Sequence, residues 1–258
     1  MRKIAALAFA VALLSATALT FGAAAGEAEG EKTLPGADWR DWHAGNEVAS
    51  LPSLQRGARN FMAYCAGCHS LKYLRYSRMA NDLKISETQL ADYLIQPGDD
   101  KNKYIIASLA PTDGEAWFGR TPPDLSLIAR AKGPDYVYKF LKTFYSEPKA
   151  LTGVNNLALP STAMPHVLSE LQGVQSAVFK TGKNKGELEF AGFEAGVVGR
   201  LSAADYDAFV RDTVNFLAYV GEPSQLYRQS LGVWVVLFLL AFTGIAFKLK
   251  QEYWKDVK

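Results

Sequence analysis

Both cysteines of this 258-residue chain stand in Cys65-Ala66-Gly67-Cys68-His69. Two thiols three positions apart, followed at once by an imidazole, form the attachment signature of haem c. The thiols can add to the two vinyl groups on one edge of a porphyrin, and the next residue then sets a nitrogen ligand beneath the iron. Two other chemistries use such a pair. A thiol–disulfide exchanger expects it in a βαβ setting, whereas an amphipathic helical pattern precedes Cys65. A zinc site needs further ligands, and the other histidines are only His43 and His166. The residues therefore favour covalent haem c.

The sixth position of such an iron separates electron transfer from ligand chemistry, since a strong protein ligand leaves no room for a substrate. The candidates are Met62, Met79, Met164, His43 and His166. Met62 lies three residues before Cys65 on an apolar helical face, where methionine is commonly core filler; Met79 follows a basic run. Met164 sits in Leu159-Pro160-Ser161-Thr162-Ala163-Met164-Pro165-His166, a loop stiffened by two prolines and 95 residues past His69. Such a loop can wrap over the far face, so Met164 is the favoured ligand and His166 the second choice. Partly buried propionates need cationic or hydroxyl partners. Arg120, Arg130, Lys132 and Tyr136, which flank Pro122-Pro123-Asp124-Leu125-Ser126, are candidates. Residues 56–84 carry six basic side chains against one acid, Asp82. That patch could guide an acidic partner or balance propionates and acidic loops. An open sixth site would point instead to a haem enzyme or gas sensor, and free thiols to a membrane-tethered thiol–disulfide protein.

The elements that must position these residues are readable from periodicity and caps. From Ser53 as N-cap, Leu54, Ala58, Phe61, Met62 and Cys65 recur at helical spacing, so a helix runs into the cysteine pair. Ser86-Glu87-Thr88-Gln89 has capping-box form and opens a helix over Leu90 to Ile95, stopped by Pro97-Gly98. Pro134 starts a third helix through Leu141. Ser202 with Asp205 opens the clearest one, in which Tyr206, Phe209, Val210, Thr213, Val214 and Leu217 make one apolar stripe ended by Gly221 and Pro223. The stretches 98–122 and 146–200 read as loops with one hairpin near 175–193. Loops this long need a body to pack against, and a macrocycle supplies it. The helices before Cys65 and after Ser202 are expected to pack on each other beside it.

Composition sets the frame: 49% hydrophobic and 21% charged residues, with 28 basic against 26 acidic side chains. This excludes a disordered chain, a collagen-like fibre, a disulfide-stapled mini-domain and a strongly basic nucleic-acid binder. Residues 1–25 read as a signal peptide, with Arg2 and Lys3 ahead of an apolar stretch and Ala23-Ala24-Ala25 as cleavage site. Leu231 to Phe247 is an uncharged stretch at the lower limit for crossing a bilayer. The Lys248, Lys250, Lys255 and Lys258 tail belongs on the cytoplasmic side by the positive-inside rule. The domains expected are 1–25 signal, 26–229 periplasmic haem c domain, 230–248 transmembrane anchor helix and 249–258 cytoplasmic tail. The address is a bacterial inner membrane, crossed once.

The ordered set of motifs resembles the cytochrome c1 family, the membrane-anchored haem subunits of cytochrome bc1 complexes. It comprises Leu54-Gln55-Arg56-Gly57, Cys65-x-x-Cys68-His69-Ser70, Tyr73 and Tyr76, Pro122-Pro123-Asp124-Leu125-Ser126, Asp135-Tyr136, Ala163-Met164-Pro165 and a single C-terminal anchor. The resemblance implies a mainly α fold, a cytochrome c-like haem domain with long loop insertions plus one C-terminal transmembrane helix. It implies His69 and Met164 as axial ligands and Lys132 and Tyr136 at a propionate. It also implies cytochrome b and the Rieske iron–sulfur protein as partners, a cytochrome c as acceptor, and a dimeric complex. The chain would be no enzyme by itself but an electron-transfer subunit of a quinol:cytochrome c reductase. A tethered c-type cytochrome of another respiratory chain is the nearest alternative.

Overall fold

The computed structural model describes residues 38–181 and 188–256. The expected signal peptide, the start of the lead-in after it and the tip of the expected hairpin lie outside the described residues. After a 3₁₀ turn at Trp39–Asp41 the elements run α1 (Leu51–Tyr64), β1 (Leu71–Arg75), α2 (Tyr76–Leu83), α3 (Glu87–Tyr93), β2 (Tyr104–Ile105), α4 (Pro111–Phe118), α5 (Ile128–Lys132) and α6 (Pro134–Lys142). The chain continues through β3 (Phe144–Ser146), β4 (Val154–Asn156), α7 (Ser169–Gln172), β5 (Gly173–Thr181), β6 (Leu188–Val198), α8 (Ala203–Gly221) and α9 (Gln225–Tyr253). The strands form three separate antiparallel pairs, β1 with β2, β3 with β4 and β5 with β6. Helices therefore carry the architecture, as the expected mainly α class requires.

Several expected boundaries move. The N-cap of α1 is Ser50, not Ser53, because Pro52 occupies the first turn, where its missing N–H costs nothing. The stretch 98–122 is not all loop: Pro111 opens the eight-residue α4, which stops at Gly119 in the left-handed conformation. The expected hairpin is longer than 175–193, its strands spanning 173–181 and 188–198. The capping box of α3 is present as read, with the Gln89 N–H donating to Ser86 Oγ at 3.2 Å and the Ser86 N–H donating back to Gln89 Oε1 at 3.1 Å. Ser202 caps α8 through the Asp205 N–H at 3.1 Å.

The core is the crossing of α1 and α8, the two helices expected to pair. Gly57 makes the crossing close: a Cβ there would lie 2.1 Å from the Asp212 carbonyl oxygen and 2.6 Å from Phe216 Cβ. One turn on, buried Asn60 donates to Phe209 O and Thr213 Oγ1, both at 3.2 Å, so the polar group at the seam is satisfied. Arg56 forks onto both carboxylate oxygens of Asp212, and Phe61 meets Phe216 with centroids 5.9 Å apart. α6 lies against α8 through Tyr206, whose hydroxyl donates to Leu141 O at 2.9 Å, and through Asp207, which accepts from Tyr138, Lys142 and Arg211. Beyond Gly221, Glu222 pairs with Arg130 at 2.8 Å and with Arg228 at 3.0 Å, tying the first turn of α9 to the domain. α9 is the one helix long and apolar enough to cross a membrane among the described residues. It extends past the apolar stretch 231–247 at both ends.

Candidate functional site

At the C-terminal end of α1 the backbone tightens. The Cys65 N–H donates to Phe61 O at 2.8 Å, and the Cys68 and His69 N–H groups both turn back onto Cys65 O at 3.1 and 2.8 Å. This compact turn brings Cys65, Cys68 and His69 to one wall of a cavity of about 1250 Å³, the space at its mouth included. The remaining walls come from several elements: Phe118 of α4, Pro122 and Leu125, Ile128 of α5, Tyr136, Val137, Phe140 and Leu141 of α6, and Leu217 of α8. Leu159, Ala163, Met164, Pro165 and Val167 of the proline-bearing loop complete it. Apolar side chains dominate; besides the cysteines and His69, the polar exceptions are Tyr64, Arg120, Tyr136, Thr162 and Thr213. Of the two stretches expected to need a body to pack against, the parts that reach the cavity are 118–122 and 159–167; the strand pairs β3–β4 and β5–β6 do not line it.

His69 donates from Nδ1 to the Pro123 carbonyl at 2.7 Å. A carbonyl can only accept, so the ring carries its proton on Nδ1 and leaves the Nε2 lone pair free, which is the state a metal-bound imidazole needs. Burial pulls the His69 pKa below its ordinary value, against the opposing pull of Pro123 and Asp124. The Pro-Pro-Asp-Leu-Ser element is strapped to the segment behind the histidine. Leu125 N–H donates to Ser70 O at 2.9 Å, Lys72 N–H to Asp124 Oδ2 at 2.9 Å, and Tyr73 N–H to Ser126 Oγ at 3.2 Å. Sequence reasoning gave this element a role at the propionates through its flanks; its work on His69 through a backbone oxygen was missed. A main-chain carbonyl has no residue-type signature to read.

Of the five candidates for the sixth position, Met164 alone lines the cavity. Met79 is 0% exposed within the core, and Met62 packs against that core from outside. His43 Nδ1 pairs with Asp135 Oδ2 at 2.7 Å. His166 lies flat on Phe144, centroids 4.9 Å apart and planes within 3°, and burial pushes its pKa down to about 4, so it is neutral. Among the propionate candidates, Arg120 and Tyr136 line the cavity, and Arg120 makes no ion pair among the described residues. Lys132 stands back, its ammonium 5.8 Å from the Tyr136 ring, and Arg130 is engaged by Glu222. The basic patch over 56–84 is partly spent internally, Arg56 on Asp212 and Arg78 on Asp82.

The donor set fits a covalently held haem: two thiols, an imidazole with Nε2 free, a thioether and apolar walls share one cavity. It does not fit thiol–disulfide exchange. Burial, with Cys68 adding to it, pushes the Cys65 thiol up to about 12, the reverse of what a reactive thiolate requires. Among the described residues no group of His, Cys, Asp and Glu is arranged to hold a metal ion such as zinc.

Comparison with known proteins agrees with this chemistry. The model of the Cytochrome C1 family matches residues 47–175. The chain is 46% identical over 216 residues to a cytochrome c1 of Allochromatium vinosum, covering 82% of this chain and 87% of that protein. It is 40% identical over 209 residues to a Nitrosomonas europaea protein named ammonia monooxygenase gamma subunit, covering 81% and 85%. A cytochrome c1 of Rhodospirillum rubrum is 28% identical over 269 residues, covering 93% and 94%.

Proposed function

The chain belongs to the cytochrome c1 family, and from that premise we propose that His69 and Met164 are the axial ligands of a haem c held by Cys65 and Cys68. As a haem subunit of a cytochrome bc1 complex, the chain relays single electrons from the Rieske iron–sulfur protein to a cytochrome c, beside cytochrome b and within a dimeric complex. Haem c supplies a one-electron carrier whose ligands stay in place in both oxidation states. The residues around it bind, orient and exclude water. Pro123 O holds His69 in its Nδ1–H tautomer. Phe140, Leu125, Ile128 and Leu217 keep water from the cavity walls, while Arg120 and Tyr136 offer a cation and a hydroxyl to propionates, with Lys132 behind Tyr136. The chain itself performs no bond-making on quinol.

The haem domain, 26–229, stands in the periplasm, α9 crosses the inner membrane once, and the tail after 248 is cytoplasmic. The lysines at 248, 250, 255 and 258 support this orientation. The observation that carries the whole reading is that one apolar cavity gathers the C-x-x-C-H residues with Met164 and leaves out every other candidate ligand.

The test is the visible spectrum of the purified protein, oxidised, reduced and reduced under CO, beside Met164→Leu. The expected result is covalent haem that ignores CO in the parent and binds it in the variant. CO binding by the parent would move a haem sensor or enzyme ahead. A second reading, a tethered cytochrome serving another oxidative system, draws on the 40% identity to the Nitrosomonas protein. Copurification with cytochrome b after mild detergent extraction favours the bc1 assignment over it.

A further inference from the structure

Met164 lies on a loop without regular secondary structure, yet a thioether is a weak, neutral donor that holds a metal only if little entropy is lost in presenting it. The structure shows a clamp at each end of that loop. Ahead of it, Asn156 is 0% exposed. Its Oδ1 accepts from the Ala158 N–H at 2.9 Å, the Leu159 N–H at 3.1 Å and Thr143 Oγ1 at 3.2 Å, while its Nδ2 donates to Phe140 O at 2.7 Å. Asn155 Oδ1 accepts from the Ser161 N–H at 2.8 Å. That bond steadies Ser161 at φ +60°, a left-handed conformation few side chains adopt. Behind the loop, Pro165 fixes the backbone and His166 lies flat on the buried Phe144, whose ring meets Phe140 edge-on at 5.1 Å. Both clamps thus close on the same strut, Phe140 to Phe144, and Phe140 is itself a wall of the cavity.

We propose that Asn156 and His166 are positioning residues for Met164. By holding both ends of its loop on the Phe140 to Phe144 strut they keep the sixth iron position closed, so that closure belongs to the clamp as much as to the thioether. The inference rests on the reading of Met164 as an axial ligand.

The test uses the full-length holoprotein and the variants Asn156→Ala, His166→Ala and His166→Phe, beside Met164→Leu and Tyr219→Phe. Tyr219→Phe removes a hydrogen bond to Asp82 outside the loop. The readouts are covalent haem content, far-UV circular dichroism, the long-wavelength absorption band of methionine-ligated ferric haem, and CO binding by the reduced protein. Asn156→Ala and His166→Ala are expected to keep haem and helix content but lose intensity in that band. Their CO-accessible fraction should rise by about tenfold for each hydrogen bond's worth of loop stability lost. His166→Phe, which retains a flat ring for Phe144, and Tyr219→Phe are expected to behave as the parent. If Met164→Leu admits CO while Asn156→Ala and His166→Ala exclude it, the positioning role is overturned and the ligand reading survives. If Met164→Leu also excludes CO, the ligand reading falls and takes the proposal with it. Equal opening in Tyr219→Phe would overturn the proposal by showing general loosening. Should Asn156→Ala fail to fold, the His166 pair decides: open in Ala and closed in Phe supports the clamp, closed in both overturns it.

Discussion

Pro123 contributes a carbonyl oxygen rather than a side chain, and that oxygen selects which nitrogen of His69 stays free. What keeps the oxygen in place is Asp124, whose carboxylate accepts from the backbone N–H of Lys72 at 2.9 Å and of Ser126 at 3.0 Å. Asp124→Ala leaves both donors without that acceptor, at an expected cost of about 1–3 kcal/mol. Urea titration of the holoprotein measures it, and an unchanged midpoint would remove Asp124 from this role. The acidic residue was visible in the Pro-Pro-Asp-Leu-Ser motif, but its task was not, because both of its partners are main-chain groups.

At the scale of elements, the approach of α1 to α8 is set by the absence of a side chain. Alanine at position 57 would bring its Cβ within 2.1 Å of the Asp212 carbonyl oxygen, a backbone atom inside a helix that cannot swing aside. Gly57→Ala is therefore expected to destabilise the domain by about 3 kcal/mol or more. Thermal unfolding should report a lowered midpoint and reduced covalent haem yield, whereas a parent-like midpoint would mean that the helices part without penalty. The same crossing explains why Arg56 and Asn60 sit on the face that meets α8: each finds its partner only because the glycine between them lets the backbones close.

For the whole molecule, Asp207 joins α6 to α8, and Arg211, which it holds, also reaches the carbonyls of His43 and Ala44 at 3.0 and 2.7 Å. Burial raises the Asp207 carboxyl, but hydrogen bonds from Lys142, Tyr138 and Arg211 outweigh it and hold the group below its ordinary value. A carboxylate depressed in the folded state adds stability above the unfolded value, near 3.8, and loses it as pH falls through the folded one. Asp207→Asn is expected to cost about 3 kcal/mol at neutral pH, since Lys142 loses its carboxylate partner. Its stability should also fall less steeply than the parent's on acidification below about pH 4. Denaturation midpoints across that range check the sign, and parallel curves would show that Asp207 carries none of the acid sensitivity. At the other end, a chain ending at Gln229 keeps the Glu222 link to Arg130 and Arg228 while losing the apolar stretch. It should appear in the soluble fraction with its haem intact, and retention in the membrane fraction would point to an attachment other than α9.

The sequence by itself determined the attachment chemistry, because Cys65, Cys68 and His69 are contiguous and local spacing is enough to present two thiols and an imidazole together. It also determined the helices with strong caps, Ser86 and Ser202, and the anchor, since capping and unbroken apolarity act over a few residues. The two-proline loop already favoured Met164, but only the tertiary structure put it in one cavity with His69 and left Met62, Met79, His43 and His166 out, because that depends on how the loops close over α1, α6 and α8. It alone gave Pro123 its partner and set Lys132 behind Tyr136, and it placed α4 in a stretch read as loop, for main-chain acceptors and long-range packing leave no periodic trace along the chain.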